Sequence, residues 1–316
     1  MTIPKTPSKT PSPVLATLLG ILFVSTASLF IRFAQAEAPS IVIAAARMLI
    51  ASLVLVPLAL VRNARNPVHL TKQDWVKGLL AGLFLALHFA TWITSLEYTS
   101  IASSVVLVTT TPLWVALLSP LVLKERIRQT VWIGLLVSVV GGVIVGLGNV
   151  CQWVDGGLTC QAQVFAGKAM WGNALALFGA WMAAGYMLMG RQLRKKLDTV
   201  SYTALVYGTA AVLLLIVVVF QGEPVFSYAP KTYFWLLALG LIPQLLGHSI
   251  LNWALKYISA AYVSLTLLGE PIGTTILAYL FLKESPTLLE AVGGILILLG
   301  IVIGSVRRSA RRISAA

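Results

Sequence analysis

A few ionisable and polar side chains stand inside the long apolar runs of this chain, where residues of this kind are costly. Glu270 is the most deeply placed acidic residue, and Pro271 directly after it removes a backbone donor and frees a carbonyl group. Three more polar residues recur at four-residue spacing, which predicts one helix face: Tyr262, Thr266 and Thr274. The pattern favours a carboxylate that binds a proton or a cation, and the alternative is a structural ion pair or a protonated helix contact.

A second polar face is predicted in the preceding apolar run. Gln244, His248 and Asn252 recur there at four-residue spacing, which indicates a wet cavity or a tight seam between helices. His88 lies in an earlier run, with Trp92 four residues later on the same face. Because imidazole titrates at about pH 6.5, both histidines are candidate proton carriers, and the alternative for each is an ordinary buried hydrogen bond.

Arg47 is the one basic residue inside an apolar run. Three roles are open to it: pairing with Glu270, binding an anionic group, or extending its side chain to the headgroups. Cys151 and Cys160 enclose a turn-rich segment that contains Gly156 and Gly157. In an oxidising compartment this arrangement predicts a disulfide, with two free thiols as the alternative.

The composition assigns the chain to the membrane. Hydrophobic residues make up 58% and charged residues only 10%, with a mean hydropathy of +0.90, whereas soluble domains carry roughly 25% charged residues. The formal charge of +13 is scattered between apolar runs, so we expect no nucleic-acid partner. Phosphate-loop, metalloprotease and nucleophile-elbow motifs are absent from the sequence, and its histidines lack metal-ligand spacing. We therefore expect no cofactor, no metal and no enzymatic activity.

Runs of about 20 apolar residues are long enough to cross a bilayer as helices. The sequence contains ten: 14–31, 40–61, 75–97, 101–122, 130–148, 169–190, 201–220, 233–255, 260–282 and 287–306. If the N-terminus lies in the cytoplasm, 18 of the 23 Lys and Arg residues fall in cytoplasmic segments and four fall in external segments, while Arg47 lies within a span. This bias predicts that both termini lie in the cytoplasm.

The two halves of the sequence repeat at an offset of 159 residues. Matches include Pro112 with Pro271 and Glu125 with Glu284, in a register without gaps over most of each half. Each half holds five spans, an odd number, so the second must enter the membrane in the opposite orientation. The predicted organisation is 1–13 disordered tail, 14–148 first repeat, 149–168 external linker with both cysteines, 169–306 second repeat and 307–316 basic tail.

The stretches from Thr111 to Glu125 and from Gly269 to Glu284, each followed by a helix with spaced glycines, resemble the EamA family of the drug/metabolite transporter superfamily. The resemblance implies a ten-helix protein of the bacterial inner membrane that exports or exchanges small metabolites, often amino acids or related compounds. We therefore expect an all-α membrane protein of two inverted five-helix repeats. Two copies of the chain could associate as a homodimer.

Its expected function is secondary active transport, with export by alternating access coupled to protons or to a counter-substrate. The alternatives are an intramembrane enzyme that acts on a lipid or isoprenoid, and a scaffold that moves nothing.

Overall fold

The computed structural model describes residues 12–99, 104, 107–154, 157–160, 167–282 and 288–305, and this part of the chain is almost entirely helical. Its elements in chain order are α1 Pro13–Val24, α2 Ala27–Ala34, α3 Ser40–Arg65, α4 Lys72–Tyr98, α5 Thr111–Val122, α6 Gln129–Val150, β1 Cys151–Val154, β2 Gly157–Cys160, α7 Lys168–Leu193, α8 Thr199–Gln221, α9 Pro230–Leu239, the π-helical segment Gly240–His248, α10 Ser249–Ala254, α11 Ala260–Leu267, α12 Glu270–Leu282 and α13 Leu288–Ser305.

Within the described ranges, seven helical stretches are long and apolar enough to cross a membrane. Three shorter apolar helices, Thr111–Val122, Gln129–Ile144 and Ala291–Gly304, coincide with the remaining predicted spans. The prediction of an all-α, multi-pass membrane protein is confirmed. The count of ten crossings stays a prediction, because seven stretches of the described residues meet both criteria.

Two of the predicted spans, 14–31 and 260–282, are interrupted in the structure. α1 stops at Val24 and α2 resumes at Ala27, while α11 stops at Leu267 and α12 begins at Glu270. The two breaks contact each other. Ser25 Oγ donates a hydrogen bond to the carbonyl oxygen of Glu270 at 3.2 Å, and Thr274 Oγ1 donates to the carbonyl oxygen of Ser25 at 3.1 Å. Side-chain hydroxyl groups on both sides thus link the break after α1 to the start of α12 through backbone carbonyl groups.

α6 and α13, the last helices of the two halves, pack along each other through glycines. A Cβ atom on Gly134 would lie 2.4 Å from the carbonyl oxygen of Gly300, and one on Gly141 would lie 2.6 Å from that of Gly293. The earlier residue of one helix meets the later residue of the other, so the helices run antiparallel. Since Gly293 and Gly300 are the 159-offset partners of Gly134 and Gly141, the contact is reciprocal, as a two-fold axis requires.

The same two-fold relation recurs elsewhere in the structure. A Cβ atom on Gly20 of α1 would meet Leu251 at 3.2 Å, and one on its repeat partner Gly179 of α7 would meet Trp92 at 3.4 Å. Leu251 and Trp92 are themselves 159 residues apart. The hydroxyl of Ser138 donates to the carbonyl oxygen of Ile297, again 159 residues away. The sequence repeat is therefore a structural repeat.

The repeat register is not without gaps, which corrects one expectation. A Cβ atom on Gly82 of α4 would meet Thr209 at 2.4 Å, while one on Gly240 would meet Ile50 at 2.6 Å. Ile50 and Thr209 are 159 apart, but Gly82 and Gly240 are 158 apart. The first half thus holds one extra residue between Ile50 and Gly82, and because the offset returns to 159 at Leu251, the second half holds one extra residue between Gly240 and Leu251. The π-helical segment occupies this stretch, and its wider turn accommodates the additional residue.

Hydrogen bonds at equivalent places in the two halves connect a loop residue to the first turn of a helix. Glu37, before α3, accepts hydrogen bonds through Oε2 from Thr232 Oγ1 at 2.7 Å and from the Ala229 backbone N–H at 2.9 Å. At the equivalent place in the other half, Lys196 Nζ donates to both carboxylate oxygens of Asp74 at 2.8 Å. The Thr232 hydroxyl and then the Ala229 N–H hold the pKa of Glu37 below its usual 4.5.

Between the halves, β1 and β2 form an antiparallel hairpin in which Cys151 is the backbone partner of Cys160. The side chains on which the predicted disulfide rests lie outside the described part of the structure, so the disulfide stays a prediction. The same holds for the predicted tails, since residues 1–11 and 306–316 are not described.

Candidate functional site

A cavity lies among helices from both halves, with an empty volume of about 820 Å³ that includes its opening to solvent. Small-molecule sites have mostly apolar walls and a few polar groups. Here α2, α3, α4, α5 and the second half of α7 contribute, together with the π-helical segment, α10, α11 and α12. The wall is mostly apolar, and its polar residues come from both halves of the chain.

The cavity lies close to the pseudo-two-fold axis. Among the described residues that line it, six pairs are separated by 159 positions: Ala27 and Tyr186, Phe89 and His248, Trp92 and Leu251, Val108 and Leu267, Thr109 and Leu268, Thr111 and Glu270. The two repeats therefore supply the same backbone positions but different side chains. The shape of the site follows the repeat, whereas its polarity does not.

The structure brings six of the ten predicted site residues to this cavity: Arg47, His88, Trp92, His248, Asn252 and Glu270. The other four are not among the residues that line it: Gln244, Tyr262, Thr266 and Thr274. Neither predicted polar face forms one continuous face in the structure, because both predictions assume a regular α-helix. The π-helical segment changes the angular spacing of the first, and the break before Glu270 interrupts the second.

Arg47 is fully buried, which rules out extension of its side chain to the headgroups. Its Nε donates a hydrogen bond to Gln244 Oε1 at 2.7 Å. Its Cζ lies 4.0 Å from the centre of the Phe89 ring, a cation–π contact. Gln244 thus reaches the site indirectly, as the residue that orients the guanidinium group.

The histidines are placed differently. His88 Nδ1 lies 2.9 Å from the carbonyl oxygen of Gly179, and because a carbonyl only accepts, this nitrogen must carry the proton. Nε2 then remains available for a second proton or a donor. The His88 ring stacks on Trp92 at 5.9 Å, and the His248 ring meets the edge of Phe89 at 5.6 Å. Because the His88 ring also lies 4.7 Å from the Phe89 ring, Phe89 contacts both histidines.

Asn252 connects three helices beside the cavity. Its Oδ1 accepts from the Tyr186 hydroxyl of α7 at 2.5 Å, and its Nδ2 donates to the Tyr207 hydroxyl of α8 at 3.0 Å. The Asn252 carbonyl oxygen accepts from Arg194 Nε at 2.9 Å. Both ends of the amide are engaged, so Asn252 primarily positions Tyr186 and α10.

Glu270 is the first residue of α12, is half-buried and lines the same cavity as Arg47. No salt bridge joins the two charged groups, although both belong to the described part of the chain. The first-half residue at the equivalent position is Thr111, which also lines the cavity. The site therefore holds a carboxylate and a guanidinium group that face the same space without closing on each other.

Sequence reasoning overlooked Phe89 and Thr111. Both were accessible from the repeat, since they are the 159-offset partners of His248 and Glu270. Comparing each candidate residue with its partner in the other half would have found them. No signal in the sequence predicts that Phe89 stacks on Arg47, because the two residues lie on different helices.

Comparison with known proteins agrees with this architecture. The model of the EamA-like transporter family matches the chain twice, over residues 11–147 and 170–306. The transporter YdfC of Bacillus subtilis, described as uncharacterized, is 24% identical over 81% of this chain and 78% of its own length. The pseudopaline exporter CntI of Pseudomonas aeruginosa is 27% identical over 92% of this chain and 95% of its own.

A solved crystal structure that is 21% identical shares the fold, with a TM-score of 0.73 over 93% of this chain and 96% of that one. Its likeness concerns the architecture alone. The two family matches together cover most of the sequence and fall on the two structural repeats. This chain belongs to the EamA-like transporter family.

Proposed function

We propose that this protein is a secondary active transporter that exports small metabolites by alternating access between its two repeats, coupled to protons or to a counter-substrate. The observation that carries the proposal is the cavity on the pseudo-two-fold axis, lined by equivalent positions of both halves. In such an arrangement the two halves can exchange conformations around a fixed central site. Export is favoured by the similarity to the pseudopaline exporter of Pseudomonas aeruginosa.

Glu270 is the proposed coupling residue. It stands at the break between α11 and α12, and it borders the cavity. A carboxylate at such a place can exchange its proton or bind a cation as the site opens to one side or the other. His88 and His248 are further candidates for proton transfer, because both line the same cavity.

The proposed location is the bacterial inner membrane, with both termini in the cytoplasm and the cysteine-containing hairpin outside. Support comes from the distribution of Lys and Arg, 18 of which fall in segments assigned to the cytoplasmic side. The antiparallel contact of α6 and α13 is consistent with the opposite orientation of the two halves.

Flux through proteoliposomes tests this function. The purified protein is reconstituted, loaded with a labelled amino-acid mixture, and subjected to a pH gradient, with a pH-sensitive dye inside. We expect efflux of chemically unchanged compounds together with proton movement or exchange. Recovery of a chemically altered product, or efflux equal to that of protein-free vesicles for every compound, would refute the proposal.

Glu270→Gln tests the coupling residue, and Glu223→Gln in the loop after α8 is the matched control. We expect Glu270→Gln to abolish or uncouple flux while the protein stays folded in the membrane, and Glu223→Gln to behave as the wild type. If Glu270→Gln protein transports normally from about pH 5.5 to 8, the assignment of Glu270 is wrong.

A further inference from the structure

Arg47 carries a buried charge whose hydrogen-bonding capacity is only partly used. Its side chain is 0% exposed, and its Nη1 and Nη2 atoms are buried without a hydrogen-bond partner among the described residues. A buried guanidinium group with free N–H donors is strongly unfavourable unless a partner satisfies them. Arg47 lines the central cavity, so the occupant of that cavity is the natural source of the missing partner.

The guanidinium group is held in one orientation before any ligand binds. Gln244 Oε1 takes the Nε–H at 2.7 Å, and the Phe89 ring covers one face at 4.0 Å. The edge that remains is the pair Nη1 and Nη2. A planar fork of this kind matches the two oxygens of a carboxylate, and pre-orientation lowers the entropy cost of binding.

The fold itself does not require this charge. The repeat partner of Arg47 is Val206, which is also fully buried, and the partner of Glu270 is Thr111. The second half thus builds the same helix packing with an aliphatic residue where the first half has an arginine. Arg47 and Glu270 are thus charged at positions where the other repeat has an uncharged residue.

We propose that Arg47 is the anion-binding residue of the cavity, and that the transported compound carries a carboxylate that binds Nη1 and Nη2. Trp92, which also lines the cavity, adds a further buried donor without a partner among the described residues, its indole Nε1–H. A positively charged group of the same compound, where it has one, faces Glu270. This inference rests on the proposed function and narrows it, since it excludes organic cations and uncharged nucleosides.

The test compares matched ligands on the wild-type protein. A thermal-shift screen in detergent uses the standard L-amino acids, their carboxamides, their decarboxylated amines and their deaminated acids. A ligand that binds the native state raises its melting temperature. We expect stabilisation only by compounds with a carboxylate, with apparent affinity about 10- to 100-fold weaker for the matching carboxamides.

Arg47→Gln and Arg47→Lys extend the test, with the exposed Arg62→Gln on the same helix as the control. We expect Arg47→Gln to abolish the preference for carboxylates, Arg47→Lys to restore it in part, and Arg62→Gln to keep it. If Arg47→Gln does not fold, the ligand comparison on the wild type still decides.

Two results would overturn the inference: an amine or carboxamide that stabilises the protein as well as its acid, or no stabilisation by any carboxylate of the panel. A protein that transports carboxamides and acids equally well in proteoliposomes would retain the proposed function and lose this inference. A protein that binds carboxylates through Arg47 but transports no compound would retain this inference and lose the proposed function.

Discussion

The glycine contact between α6 and α13 allows an unusually well-controlled stability experiment on two neighbouring residues. Gly141 faces α13, where a Cβ atom would lie 2.6 Å from the Gly293 carbonyl oxygen and 2.8 Å from the Ile297 backbone nitrogen. Gly142, the next residue, has only Thr109 Oγ1 at 4.0 Å. Its repeat partner is Ile301, so the fold accepts a large side chain at that position.

The perturbation is Gly141→Ala compared with Gly142→Ala. Both substitutions gain the same helix propensity, up to about 1 kcal/mol in a helix interior, so this contribution cancels in the difference. Real Cβ atoms essentially never lie within 3.0 Å of another heavy atom, whereas the Cβ atom of Gly141→Ala would lie 2.6 Å from the Gly293 carbonyl oxygen. The substitution must therefore push the backbones of α6 and α13 apart by at least the difference between these two distances. Overpacking of this kind costs about 1–3 kcal/mol, and we expect Gly141→Ala to be less stable than Gly142→Ala by that amount.

The assay is thermal unfolding of both variants and the wild type in the same detergent, followed by size-exclusion chromatography of the remaining folded protein. Gly142→Ala should melt at or above the wild-type temperature, and Gly141→Ala several degrees lower than Gly142→Ala. Gly300→Ala should behave like Gly141→Ala, because it occupies the equivalent position and its Cβ would lie 2.4 Å from the Gly134 carbonyl oxygen. Equal stability of the two neighbouring variants would refute the close approach of α6 and α13.

Two further predictions concern hydrogen bonds. Glu37→Gln should lower the melting temperature at neutral pH. Folding lowers the pKa of Glu37 below 4.5, so the stabilisation by its carboxylate is present above that pH and is lost as the pH falls through the lowered value. The difference between wild type and Glu37→Gln should therefore close only below about pH 4.5, and a difference that widens there would contradict the contact with Thr232. Tyr207→Phe should cost about 0.6–1.7 kcal/mol, as hydrogen bonds between membrane helices do, because Asn252 Nδ2 loses its acceptor; denaturation in mixed micelles measures this, and an unchanged stability would count against the bond.

Hydropathy and the repeat predict most of the architecture, because the bilayer imposes length and apolarity on each helix directly. What they miss are departures from regular helix geometry. The breaks before Ala27 and Glu270 and the π-helical segment depend on contacts between distant helices, such as Ser25 with Glu270. A fixed four-residue spacing therefore predicts polar faces that the structure does not keep.

The candidate site shows the same division. The deep ionisable residues Arg47, His88, His248 and Glu270 are found from the sequence, because an apolar solvent makes each of them exceptional. Their partners are not found, because Gln244 and Phe89 reach Arg47 from other helices. Sequence locates the charges, and only the packing of helices assigns them neighbours.

The single extra residue held by the segment Gly240–His248 has a consequence for the orientation of Arg47. A chain shortened by one residue there would match the corresponding stretch of the first half, and we expect that stretch to wind as an ordinary α-helix. The side chains on either side of the deletion would then rotate relative to each other, so Gln244 would lose its alignment with Arg47. The wider helical turn thus decides which side chain of this stretch holds the guanidinium group in place.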